Sequence, residues 1–149
     1  MISIMKKMMF AMFLLFAAVL NANAGNDRII TKDKLPAEAQ VFIDTHFPAQ
    51  KLSFAKEERD FFERSYEVVF ADGSKLEFTS KGEWKEVDCR YSEVPIAIIP
   101  AAIMEYVLKN FPAEKVLKIE RETGNYEVQL SNRYELTFDK KLRIIDIDN

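Results

Sequence analysis

The pattern of apolar and polar residues changes period twice along the chain, each time in the same order. Over 36–48, Ala39, Phe42, Ile43 and Phe47 recur at the spacing of one helical face, which predicts a helix. Pro36 suits its first turn, where the missing N–H costs nothing. Pro48 stops it, because the residue before a proline is pushed out of the α region. The period then becomes two. Tyr66, Val68 and Phe70 alternate with Glu67, Val69 and Ala71, and Leu76 and Phe78 flank Glu77. Asp72-Gly73 and Lys81-Gly82 lie between these runs as hairpin turns, where a positive φ is needed. KLSFAKEE, at 51–58, predicts one more strand.

The succession then returns. Pro100, Ile103, Tyr106, Val107 and Phe111 make a second helical stripe, and Pro112 closes it. KVLKIERE (115–122) leads to Tyr126, Val128 and Leu130, then Leu136 and Phe138, then Ile145 and Ile147. Turns are expected at Gly124 and near Asn132 and Lys140. The likeness extends to residue identity. At an offset of 64, 36–51 and 100–115 agree at six of sixteen positions, with HFPAQK answered by NFPAEK. At an offset of 60, 66–88 and 126–148 agree at seven of twenty-three, where about two matches over both windows would arise by chance.

The fold expected is therefore α+β. Two tandem helix-plus-four-strand units form one antiparallel sheet with the helices on one face. The first repeat is assigned to 25–90 and the second to 91–149, as one composite domain. A unit of about 60 residues is marginal by itself, so the two should share sheet and core. RYSEVPIAI, at 90–98, is too short and too apolar to be a free hinge.

Residues 1–24 read as a secretory signal: Lys6 and Lys7, an apolar run over 8–20, and a small-x-small site at Ala22-Asn23-Ala24. A run of thirteen covers about 20 Å at a helical rise, short of a bilayer core of about 30 Å. A periplasmic location follows, without stable membrane insertion after cleavage. Removal would leave 19 basic and 24 acidic side chains, a net charge of −5. That sign argues against nucleic acid and against a polybasic grip on anionic lipid. Cys89 is the lone cysteine, so no internal disulfide can form, and a buried structural role is expected for it.

Little else carries chemistry. The single histidine, His46, ends the first helix, and no nucleophile elbow, zinc spacing, phosphate loop or calcium loop is present. No catalytic residue, cofactor or metal is expected, although chance pairs of carboxylates remain open among 24 acids. The candidate surface is the sheet face opposite the helices. By strand parity Trp84 and its counterpart Ile144 point there, unless a bulge turns Trp84 inward. A second candidate is Asp60-Phe61-Phe62, in a connection four residues longer than its counterpart. Either it protrudes as a hairpin tip, or it folds its phenylalanines back over the sheet edge.

The two helix segments LPAEAQVFIDTHFPAQK and IPAAIMEYVLKNFPAEK, followed by YEV…LEF…EWKEVD, resemble the PepSY-like family of envelope proteins. That family is described as beta-lactamase-inhibitor-like for its fold. The second copy departs from the pattern, with KKLRIID where a Gly-x-Trp turn and strand would stand. The resemblance implies a secreted protein without established chemistry, for which inhibition of a peptidase or beta-lactamase is an analogy of fold. The function expected is a non-enzymatic periplasmic module binding an envelope protein or peptide, with partner contacts expected at Asp60, Phe61, Phe62, Trp84 and Ile144. The alternative is an envelope sensor or accessory protein that takes a small ligand in a concave pocket.

Overall fold

The computed structural model describes residues 26–149; the segment read as a signal, 1–24, lies outside the described residues. The chain opens with a short strand, β1 (Arg28–Ile30), then runs through α1 (Ala37–His46), β2 (Leu52–Arg59), β3 (Arg64–Phe70), β4 (Lys75–Thr79) and β5 (Trp84–Asp88). It continues through α2 (Ala101–Asn110), β6 (Val116–Glu122), β7 (Asn125–Leu130), β8 (Glu135–Phe138) and β9 (Ile144–Asp148). Each helix begins on its proline: Pro36 and Pro100 hold φ of −53° and −52° with extended ψ at the N-cap. Each ends on the phenylalanine before the second proline. The N–H of Phe47 donates to the Ile43 carbonyl at 2.8 Å, and that of Phe111 to the Val107 carbonyl at 2.7 Å.

All nine strands form one antiparallel sheet in sequence order. The eight strands expected become nine because β1 pairs with β2, Ile30 opposite Ala55. Three residues are too few to leave a period in the sequence. Register places Ile30, Ala55, Val68, Leu76, Val87, Ile119, Val128, Leu136 and Ile147 in one row across every strand. Paired residues of an antiparallel sheet share a face, so this row defines the core side. Ala39 and Ile43 of α1 and Ile103 and Val107 of α2 are buried in the same cluster. Phe42 meets Phe78 edge-on at 5.6 Å between centroids, and Tyr106 meets Phe138 likewise at 5.5 Å. Both helices thus cover one face, and the core is continuous.

The connection over 90–98 is no hinge. Val94 is buried, and its N–H donates to the Val116 carbonyl at 2.9 Å. The sheet crosses from one half to the other through β5 and β6, where Val87 stands opposite Ile119.

Parity fails at Trp84, where the bulge alternative holds, and at Ile144. In β5 the register slips between Glu77 and Phe78: Glu77 faces Glu86, yet Phe78 faces Trp84. The extra residue, Lys85, is a bulge, and it returns Trp84 to the helix face. There the indole lies 6.4 Å from both Phe42 and Tyr126, with the Arg121 guanidinium over it at 4.3 Å. The Arg121 Nε–H also donates to the Trp84 carbonyl at 2.7 Å. Strand β9 repeats the slip, so Ile144 faces Phe138 on the core side as well. Neither residue lies on the open sheet face.

Candidate functional site

The longest hairpin, β2–β3, carries Asp60, Phe61, Phe62 and Glu63 as its turn. Phe61 is 98 % exposed and Phe62 100 %, so the fold-back reading fails: both rings project into solvent. The local chemistry explains why. The Asp60 carboxylate accepts from the N–H of Phe62 at 2.9 Å and of Glu63 at 2.7 Å, and the Asp60 N–H donates to the Glu63 carbonyl at 3.0 Å. These bonds close a tight turn that leaves no length for the rings to reach back. They also hold the Asp60 carboxyl below its ordinary range, since its charged form is the acceptor.

Behind the tip, on the helix side, Glu57 is buried among three arginines. Its carboxylate accepts from Arg28 at 3.2 Å, Arg59 at 3.0 Å and Arg64 at 2.9 Å. Register pairs Glu57 with Tyr66, placing it in the row of Phe78 and Trp84. An open, polar cleft of about 370 Å³ is lined there by Asn26, Asp27, Arg28, Glu57 and Arg59.

The face away from the helices carries a feature the sequence reading did not assemble. Lys56, Glu67, Glu77, Glu86, Glu120, Glu127, Thr137 and Asp146 stand in one row across eight strands. A parallel row holds Lys75, Asp88, Lys118, Gln129, Glu135 and Asp148. Nine carboxyls and three lysines share these rows, more acid excess than the whole chain after residue 24. The signal was available: these are the polar positions that alternate with the core residues.

The rows are tightly coupled. Burial pushes the Glu86 carboxyl up to about 8, helped by its hydrogen bond to Glu120. Burial also works against charge on Glu120, but that bond and Lys118 hold its carboxyl below the ordinary range. The pair thus favours a neutral Glu86 beside a charged Glu120. Lys118 lies 3.6 Å from Glu86 and 2.9 Å from Glu120, and Lys75 3.6 Å from Glu86. These acids outweigh the burial of Lys118 and carry its ammonium up to about 12. Burial and a bond to Glu135 likewise bring Glu127 up to about 8.

The conventional catalytic groups are dispersed. His46 packs its ring on Phe42, centroids 4.7 Å apart, at the end of α1. Cys89 is buried, and burial pushes its thiol up to about 11. Among the described residues no three Asp, Glu, His or Cys side chains are placed to hold a metal ion, and no helix is long and apolar enough to cross a membrane.

The family described as "Putative beta-lactamase-inhibitor-like, PepSY-like" matches residues 64–146. Three solved structures from Bacteroides are similar over nearly their whole length. One from Bacteroides thetaiotaomicron, described as a "putative calcium-regulated periplasmic protein", is 55 % identical with a TM-score of 0.82, covering 83 % of this chain and 97 % of that one. One from Bacteroides vulgatus, a "putative periplasmic protein" of the DUF2874 family, is 52 % identical with a TM-score of 0.82, covering 85 % and 99 %. A second from Bacteroides vulgatus, of unknown function, is 40 % identical with a TM-score of 0.79, covering 83 % and 100 %. Curated proteins gave no match. All three structures are described as periplasmic, and this chain is a periplasmic protein like them. It belongs to the PepSY-like, beta-lactamase-inhibitor-like family, whose match spans more than half of its length.

Proposed function

We propose that this protein is a non-enzymatic periplasmic module that holds a protein or peptide partner on the tip of its β2–β3 hairpin. The observation that carries this reading is the pair Phe61 and Phe62, 98 % and 100 % exposed on a turn fixed by Asp60. Aromatic side chains on a rigid protrusion meet a partner with little further loss of conformational freedom. Left uncovered, two adjacent phenyl rings are a liability to a soluble chain. A projecting tip fits a groove, so plugging the cleft of an enzyme is the inhibitory form of the proposal. The open sheet face, rich in carboxylates, would carry basic residues of the same partner. We further propose that residues 25–90 and 91–149 are tandem copies of one unit, supported by the matching register of β4–β5 and β8–β9 down to the bulge. The packed His46 and the buried Cys89 thiol support the absence of catalysis.

The test places a photo-crosslinking phenylalanine analogue at Phe62 in protein made in its own periplasm. One or a few discrete adducts are expected, and none from the same probe at Ile29, which is also exposed. Uncrosslinked monomer at both positions would remove the proposal. Trp84→Ala should leave the adducts in place while lowering stability by about 2–3 kcal/mol, the cost of emptying a packed aromatic site.

A further inference from the structure

The hairpin tip is one surface; the end of the sheet is another, and the chain itself shows what that end accepts. Strands β4–β5 and β8–β9 pair in the same register. Leu76 and Leu136 face Val87 and Ile147, Glu77 and Thr137 face Glu86 and Asp146, and both pairs slip at the next residue. The far edge of β5 is occupied by β6, with Ile119 opposite Val87 and Glu120 opposite Glu86. The far edge of β9 pairs with no strand among the described residues, and Ile145 and Ile147 on it are each 46 % exposed. At the other end of the sheet the corresponding edge, that of β2, is closed by β1.

We propose that the outer edge of β9, at Asp146 and Ile147, binds an extended segment of another protein as a tenth antiparallel strand. The segment would place an apolar residue opposite Ile147 and a basic residue opposite Asp146. Edge addition recruits backbone hydrogen bonds for affinity and alternate side chains for selection. The apolar requirement comes from the β5–β6 junction, where Ile119 fills that place. The basic requirement comes from charge. Asp146 ends a row in which Glu127 and Glu120 are also acids, and a carboxylate opposite Asp146 would meet its like charge across the strands. In β2, the strand placed like β6 in the first half, the position of Glu120 is held by Lys56, which shows that the register tolerates a lysine there. A second copy paired through the same edge would bring carboxylates together on one face, so the occupant is a basic, alternating strand rather than another β9.

The probes are two synthetic peptides spanning 115–122 of this chain, KVLKIERE and its Glu120→Lys form. Binding is read by amide hydrogen exchange of the purified protein. Protection is expected to rise in β9 alone, with the Glu120→Lys peptide binding about five- to tenfold tighter near neutral pH. In protein carrying Asp146→Lys the order of the two peptides should invert, with protection in β3 and β7 unchanged as the check on folding. Phe61→Ala with Phe62→Ala should alter neither affinity, which separates this result from the fate of the tip. Equal affinities in the unsubstituted protein, protection gained elsewhere, or none in β9 would each overturn the proposal.

Discussion

At the scale of single residues, the proton on Glu86 is the most consequential. Its carboxyl titrates near 8 in the fold against an ordinary value of 4.5, because burial and the bond to Glu120 favour the neutral form. Between those values the folded chain holds a proton that the unfolded chain has released. This group's contribution to stability is therefore full below pH 4.5 and is lost as pH rises through 8. Glu86→Gln keeps the shape and removes the titration. It should be nearly neutral at pH 5 and stabilising by about 1–2 kcal/mol at pH 8.5, read from urea unfolding. Equal effects at the two pH values would show that Glu86 carries no displaced proton. Trp84 shows why such residues were hard to place from sequence alone. Alternation assigns it to the open face, and a single bulged residue, Lys85, reverses that assignment for Trp84 and leaves Glu86 where parity put it. A bulge inserts no marker residue of its own, so nothing in EWKEVD betrays it.

At the scale of elements, turns separate the two halves more than strands do. The β3–β4 turn holds Gly73 at φ +89°, and the corresponding β7–β8 turn puts Arg133 at φ +75°. A side chain in that region crowds its own backbone by about 1–2 kcal/mol, which glycine avoids at some cost in unfolded-chain entropy. Arg133→Gly should therefore raise stability by about 0.5–1 kcal/mol, seen as a higher urea midpoint at constant slope. A lower midpoint would mean that Arg133 makes contacts that outweigh its backbone strain. Gly82 is constrained differently. A Cβ there would sit 2.9 Å from the Ala39 nitrogen and the Pro36 Cβ, so this turn is packed against the start of α1. Helices and long strands were legible because proline, glycine and a clean period mark them. The three-residue β1 and the exact path of the β2–β3 turn were not. The first is too short to show a period, and the second depends on where one carboxylate, that of Asp60, finds its donors.

At the scale of the whole molecule, the sheet divides two kinds of surface. One side is sealed by α1 and α2 over a single core, and the other, crossed by no helix among the described residues, is a field of half-buried carboxylates, with Glu86 and Asp88 buried, broken by Lys56, Lys75 and Lys118. A field of that sign would favour basic partners over acidic ones, and salt would weaken the preference. The hairpin tip stands apart from the core, so a partner can cover Phe61 and Phe62 without disturbing the packing that holds the fold. The direct measurement is oxidative footprinting of this protein inside its periplasm against the purified chain. Phe61 and Phe62 should be the most readily labelled phenylalanines among the described residues in isolation and lose most of that labelling in the periplasm, while Trp84 changes little. Equal labelling of the two phenylalanines in both settings would contradict the account.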